Sequence, residues 1–387
     1  MRKVLAITGI RSEYYILRSI LKALKKHSFD VKVVACSAHL SEWHDYTLKD
    51  IYQDGFEVAD KIDSLFMTDR LTQRPKNVGI LTYSLSQVVE RENPDFLLVV
   101  GDREESIATA IVGNYMNKLV VHFGGGDPVF GNADDPVRFA VSKLSHIHLV
   151  STEIYRQNLI KIGEEEFRIF NVGNPIYTEI YEVEEIDLHQ ISKYIECNIS
   201  HSKYGVIIKH PLSSEVLDSY KQMKISLQAI KEFAKKYNVK FIGIYPNTDP
   251  GSYQILKAIE EEEDGEYIKF FKTLPFEVFV NILRNANVLV GNSSMGILEA
   301  PFYKLPVVNI GRRQTGRLNA GNVEFIDYDH TQIIKVLEKA VFDKQYRDHV
   351  WNIYNPFGDH TNAYKIPKIL EEIDLTDNIW YIKRKLC

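Results

Sequence analysis

Cysteine is scarce. Cys36, Cys197 and Cys387 are the only three in 387 residues, they lie far apart, and none belongs to a CxxC or other metal-type spacing. That pattern argues against a disulfide framework or a thiolate metal site and predicts free thiols in a reducing cytoplasm. Long apolar runs are missing too. The first run, starting at Lys3, has about five apolar residues in a row, too few for a signal peptide or a spanning helix, and no later run is long enough for one. A positive surplus is also absent: 47 Lys and Arg against 52 Asp and Glu give a net charge of -5, which argues against a general nucleic-acid partner and leaves local basic pockets open. No GxGxxG follows the first run, which weakens a dinucleotide-binding reading.

What is present is ordinary for a globular chain, with 45% hydrophobic and 26% charged residues. The length exceeds what one core usually supports, so two domains are expected. Residues 3–8 form a short apolar run ending at Gly9, followed by Arg11-Ser12-Glu13 and a helical pattern through Ile16, Leu17, Ile20, Leu21 and Leu24. Val31–Ala35 repeats the strand signal, which makes the opening a βαβ unit. Buried-type runs follow at 96–100, ending in Gly101-Asp102-Arg103-Glu104-Glu105, at 119–123, ending in Gly124-Gly125-Gly126-Asp127, and at 147–150; Gly131, Asn132, Asp134, Asp135 and Arg138 stand between the last two. The irregular stretch 37–75 reads either as a lid or as a surface loop with a short helix or two. A second βα series starts near Tyr204, with a strand ending in His210-Pro211, a helix over about 214–236, and a strand over 240–245 that runs into Pro246-Asn247-Thr248-Asp249. These patterns predict two Rossmann-like, doubly wound α/β domains facing a cleft. The expected boundaries are 1–180 for the first domain, 181–203 for a linker, 204–365 for the second domain and 366–387 for a tail that packs back on a domain.

The stretch Gly291–Arg317 carries the strongest local chemistry. Val288-Leu289-Val290 ends at Gly291, and Asn292-Ser293-Ser294 then opens an apolar-periodic segment, the pattern of a strand handing over to a helix N-terminus that favours phosphate. Glu299, expected one to two turns into that helix, is placed to take ribose hydroxyls. Arg312, Arg313 and Gln314 return cationic and amide groups to the same edge after the run at 306–310. An ordinary strand–helix–strand unit with a polar mouth explains any one of these residues, but not all of them together.

Taken in order, TGIRSEY, GDREE, HFGGGDPVFGNADDPVRFAVSKLSHIH, KHP, YPNTDPGS, GNSSMGILEAP, NIGRRQTGR and NPFGDH resemble the hydrolysing UDP-N-acetylglucosamine 2-epimerases over nearly the whole chain. The resemblance implies a glycosyltransferase-B-like pair of domains, a UDP-sugar substrate, and no metal or organic cofactor. It also implies a homodimer or homotetramer and a place in sialic or legionaminic acid biosynthesis. By position it assigns His210 and Arg313 to the diphosphate, with His210 also counted among the catalytic groups. Ser293 and Ser294 fall beside the diphosphate, Glu299 on the ribose, and Asn247 next to diphosphate and sugar, with Arg11 and Arg103 contributed by the first domain. Asp102 and Asp134 match family carboxylates. The implied reaction removes the C2 proton, eliminates UDP to a glycal and hydrates it, for which carboxylates of raised pKa are the natural equipment.

One departure from the family pattern concerns Gly124, which stands where the resemblance leads us to expect a glutamate. Three readings follow: Asp127 takes over the role, a bulkier sugar such as a 2,4-diacetamido-6-deoxy hexose uses the space, or catalysis is impaired. A non-hydrolysing 2-epimerase, a glycosyltransferase and an inactive nucleotide-sugar-binding protein remain as alternatives on the same fold. Phe139, where the family has histidine, reads as helix packing. His146 and His148 read as core and surface residues rather than metal ligands, and Tyr14, Tyr15 and Tyr46 as pocket or packing residues.

Overall fold

The computed structural model describes residues 1–129 and 134–383; Gly131, Asn132 and Cys387, named above, lie outside the described residues. Each apolar run becomes a parallel strand, because a strand covered by helices on both faces tolerates near-continuous Val, Ile and Leu. The chain forms two compact units.

The first unit comprises 1–128, 134–181 and 357–383. Its strands are β1 (Lys3–Thr8), β2 (Asp30–Cys36), β3 (Glu57–Ile62), β4 (Phe96–Val100), β5 (Leu119–Phe123), β6 (Ile147–Val150) and β7 (Ile169–Asn171), in the order β3-β2-β1-β4-β5-β6-β7. One face is packed by the Arg11–Lys26 helix through Leu17, Ile20, Leu21 and Leu24, together with Ile366 and Leu370 from the Ile366–Glu372 helix. The other face carries Leu81, Leu85 and Val88 of the Gln73–Glu92 helix and Ala108 and Val112 of the Glu104–Tyr115 helix. Trp380 and Tyr381, in neither helix nor strand, pack against the first of these cores.

The second unit is built on Glu182–Pro356. Strands β8 (Tyr204–Ile208), β9 (Lys240–Ile244), β10 (Ile268–Phe271), β11 (Val288–Gly291), β12 (Val307–Ile310) and β13 (Val323–Ile326) are arranged β10-β9-β8-β11-β12-β13. Leu227, Ile230 and Phe233 of the Ser219–Tyr237 helix fill one face with Ile333 and Leu337. Ile282 and Leu283 lie on the other with Ile191, Ile195 and Ile199.

Several expectations differ from what is observed. The stretch read as a linker carries the Leu188–Tyr194 helix, and Ile191, Ile195 and Ile199 are buried in the second unit's core; an acidic average hid a narrow apolar stripe. The stretch 37–75 contains a further strand, β3, whose only buried residue is Ile62, so it lacks the apolar signal of a central strand. His146 and His148 are both buried, neither at the surface.

Candidate functional site

Both sheets reverse their strand order once, between β1 and β4 and between β8 and β11. In open parallel sheets, ligands bind beyond the carboxyl ends of the strands at such a reversal. Each unit therefore offers one such edge.

In the first unit, β4 ends at Gly101-Asp102-Arg103 and β5 at Gly124–Asp127, and both turns are tied to Arg138 of the Asp134–Leu144 helix. Arg138 donates through Nη2 to Asp102 and through Nη1 to the Gly124 carbonyl at 2.8 Å, with Asp127 Oδ2 at 3.6 Å from Nη1. Asp134 lies in the field of the same guanidinium and is held by Arg74 at 2.7 Å, whose Nε also binds Glu104. Two of the three expected carboxylates, Asp102 and Asp127, thus pair with Arg138, and the third, Asp134, is held by Arg74. Burial opposes ionisation of Asp102, but the attraction and hydrogen bond of Arg138, with Arg74 and Arg103 behind it, outweigh burial and hold its carboxyl below the usual range. The expectation of raised carboxyl pKa values therefore needs correction for Asp102. In this unit the carboxyls that burial does push up, among the described residues, are those of Glu13 and Glu105.

His122, fully buried, supports this edge from beneath. Its Nε2 lies 2.7 Å from the Gly101 carbonyl and its Nδ1 3.3 Å from Ser142 Oγ, and burial lowers its pKa to about 3. Gly124 has φ +94, and a Cβ there would meet nothing closer than 3.7 Å among the described residues. Space is available at this turn; what resists a side chain is the left-handed backbone. Asp127 is the carboxylate that the turn brings to Arg138.

Arg11 and Arg103 both sit at this edge. Arg11 Nε bonds Tyr15 Oη at 2.5 Å and pairs with Asp50 at 3.1 Å. Arg103 lies 3.6 Å from Glu104 and 3.9 Å from Glu105. Tyr14 is a core residue whose hydroxyl donates to Asp54 at 2.7 Å, whereas Tyr46 is exposed. Sequence reasoning assigned no role to Glu13, Arg74 or Arg138. Arg74 carries no local signal at all, since it reaches the site from the start of a helix 30 residues away from its partner Glu104.

In the second unit, Asn292 fastens the two switch-point strands together: its Oδ1 accepts from the His210 amide at 2.7 Å and its Nδ2 donates to the His210 carbonyl at 2.9 Å. His210 Nδ1 accepts the Asn247 N–H at 3.1 Å, which in a neutral ring leaves the proton on Nε2. Arg313 Nη1 and Gln314 Nε2 reach the Asn292 carbonyl at 3.1 and 3.0 Å. Gly291 takes φ +137, and a Cβ there would stand 2.0 Å from the Ile208 carbonyl oxygen, so only glycine allows this handover.

The helix expected after Gly291 is a single turn, Met295–Leu298, and Glu299 caps its C-terminal end rather than lying one to two turns inside. Gly296 lies within this single turn and Pro301 follows soon after it, and so short a segment builds no extended dipole. Ser293 Oγ accepts from the Met295 amide at 3.3 Å, while the N–H and hydroxyl of Ser294 make no hydrogen bond among the described residues. Donors for an anion here are turn amides and hydroxyls. The Glu299 carboxylate has no hydrogen-bond or ionic partner among the described residues, and burial alone raises its pKa to about 7.

Among the described residues no group of three or more His, Cys, Asp or Glu side chains is arranged to hold a metal ion, and no helix is long and apolar enough to cross a membrane. Two doubly wound parallel α/β units, one with a carboxylate-rich edge and the other with an anion-type turn beside an isolated glutamate, define a nucleotide-sugar type of protein. The model of the family described as UDP-N-acetylglucosamine 2-epimerase matches residues 22–371, and the chain belongs to that family. It is 32% identical to the hydrolysing UDP-N,N'-diacetylbacillosamine 2-epimerase of Legionella pneumophila, over 98% of both chains. It is 31% identical to the hydrolysing GDP/UDP-N,N'-diacetylbacillosamine 2-epimerase of Campylobacter jejuni, over 87% of both. The fold is similar to that of the Neisseria meningitidis UDP-GlcNAc 2-epimerase solved bound to UDP-GlcNAc, with a TM-score of 0.81 at 21% identity, covering 96% of this chain and all of that one.

Proposed function

We propose that this protein is a hydrolysing 2-epimerase that converts a UDP-activated 2-acetamido sugar into UDP and the free 2-epimer, with a UDP-2,4-diacetamido-6-deoxy hexose as substrate. The preference for the diacetamido sugar rests on two relatives above 30% identity that are named for N,N'-diacetylbacillosamine, whereas a Neisseria meningitidis relative named for UDP-N-acetylglucosamine is 28% identical. The single observation that carries the chemistry is the pairing of Asp102 and Asp127 with Arg138, with Asp134 held by the neighbouring Arg74.

In this reading Asp102, kept ionised by Arg138, accepts the C2 proton, and UDP leaves as the C2–C1 double bond forms. Charge then grows on the departing phosphate oxygen, where His210 Nε2–H and Arg313 donate. Water adds across the glycal, its oxygen bonding to C1, with Asp127 and Asp134 as the groups that handle its protons; C2 is reprotonated on the opposite face. Ser293, Ser294 and Asn247 hold the diphosphate, and the ionised Glu299 accepts from the ribose hydroxyls. Arg11 and Arg103 add positive charge. The free product suits nonulosonic acid synthesis in the cytoplasm, and the working form is a homodimer or homotetramer.

Incubation with the diacetamido substrate and with UDP-N-acetylglucosamine in deuterated water tests the reading. Free UDP together with a free sugar carrying deuterium at C2 is expected, faster with the diacetamido compound. A 2-epimerised product that keeps its UDP overturns hydrolysis, and UDP binding without turnover of either sugar overturns the enzymatic reading.

A further inference from the structure

Residues 379–383 of the first unit lie far from the carboxylate edge in sequence, yet Lys383 reaches the end of the helix that carries Arg138 and Asp134. The Asp134–Leu144 helix ends with backbone carbonyls that no further turn can satisfy. Lys383 Nζ reaches three of the carbonyls around that end: Ser142 at 3.1 Å, Lys143 at 2.8 Å and Ser145 at 2.8 Å. An ammonium group donates and cannot accept, and a cation at a helix C-terminus is favoured by the dipole. The same nitrogen pairs with Glu164 at 2.5 Å.

The seat for this lysine is built from buried charge. Glu164, with its side chain fully buried, also takes His148 Nε2 and Lys143 Nζ at 3.0 Å each. Arg168, itself 0% exposed, grips the segment's backbone: Nη1 donates to the Trp380 carbonyl at 2.8 Å, and Nη2 to those of Ile379 and of Ile382, the latter at 3.0 Å. Phe167 meets the Trp380 ring edge-to-face at 5.3 Å. So much polar burial for a stretch with no regular structure is costly unless it fixes something.

What it fixes lies one helical turn away. Ser142, whose carbonyl Lys383 holds, donates its hydroxyl to the Arg138 carbonyl at 3.0 Å, and the same oxygen lies 3.3 Å from His122 Nδ1. His122 in turn meets the Gly101 carbonyl beside Asp102. We infer that Lys383 is a positioning residue: by capping the Asp134–Leu144 helix it sets the height of Arg138, and through it the spacing of the Asp102 and Asp127 carboxylates. The inference rests on the proposed role of those carboxylates.

The test compares the full chain with Lys383→Met and Lys383→Arg. For Lys383→Met the expected result is a fall in kcat of about tenfold or more, with UDP affinity by calorimetry unchanged within about twofold, and faster amide exchange confined to peptides covering 134–145. Lys383→Arg, which keeps a cationic donor, restores kcat to within about threefold of the parent. A kcat within twofold of the parent in Lys383→Met overturns the inference, as does loss of UDP affinity in parallel with kcat, which marks a general structural defect. Amide exchange reads the capping whether or not a sugar is turned over, so unchanged exchange over 134–145 overturns it independently. Failure of the parent itself to release UDP counts against the proposed function instead.

Discussion

Arg138 binds Asp102 and, with its other terminal nitrogen, the carbonyl of Gly124 at 2.8 Å, so one guanidinium joins the turns that end two neighbouring strands. Exchange of Asp102 for Asn keeps the shape of this junction and removes its charge. Turnover of Asp102→Asn is expected to fall by about 10²–10⁴-fold, the usual contribution of a positioned base, while UDP affinity stays near that of the parent because the residues assigned to the diphosphate are untouched. UDP release and calorimetry on the same preparation check this; turnover near normal removes Asp102 from the mechanism.

Glu299 is the opposite case, a carboxyl with no partner among the described residues, whose pKa is raised to about 7. A raised carboxyl pKa means the folded state holds the proton more tightly than the unfolded state, so this group makes folding less favourable as pH rises from 4.5 through 7. Glu299→Gln is therefore expected to raise the melting temperature of the free protein above pH 7 and to weaken UDP binding there. In the parent, UDP affinity should climb as pH rises through 7, and in the variant it should be flat. A variant that binds UDP as tightly as the parent at pH 8 rules out the ribose role.

Introducing glutamate at position 124 does not restore a missing group at no cost. The backbone there has φ +94, and a non-glycine residue in that region is disfavoured by about 1–3 kcal/mol. Gly124→Glu is expected to melt at lower temperature than the parent and to gain no activity on UDP-N-acetylglucosamine. Gly124→Ala separates backbone from side chain, since its Cβ meets only ordinary contacts. Equal stability of Gly124→Ala and the parent contradicts the backbone argument.

Acid should loosen the first unit first. Burial lowers the pKa of His122 to about 3 and of His146 to about 4, and Glu164 sits at about 2 because His148 and Lys383 overcome its burial. All three bind protons more weakly folded than unfolded, so their stabilisation is complete above the unfolded values, 6.5 for histidine and 4.5 for glutamate, and is lost as pH falls towards the folded ones. The melting temperature should decline from pH 6.5 downward. Glu164→Gln, which carries no titrating carboxyl, should flatten the part of that decline below 4.5. An identical slope in the variant assigns the acid sensitivity elsewhere.

The central strands could be read directly, because runs such as Phe96–Val100 are apolar at every position and both faces are covered. Asp102, Asp127 and Asp134 were legible as strand-end or helix-start residues, and Gly291 as the turn before an anion-type loop. Their assembly around Arg138 and Arg74 was not, since the two arginines arrive from separate helices and only the folded chain brings them together. Edge strands such as β3 were invisible for a related reason: a half-exposed strand has no reason to be uniformly apolar. The length of the helix after Gly291 was overestimated because periodicity reports which residues are apolar and says nothing of how the backbone closes at Glu299.

The return of the chain to the first unit at Phe357 has a consequence for biosynthesis. Ile366, Leu370 and Ile373 complete the core against which the Arg11–Lys26 helix packs, yet the ribosome must make all of Glu182–Pro356 before these residues exist. The second unit is continuous over that span and is free to fold as it emerges, whereas the first waits with an open hydrophobic face. Translation that stalls anywhere short of Phe357 leaves a nascent chain whose earlier-made half is the unfinished one, exposed to chaperones and proteases until the last helix docks.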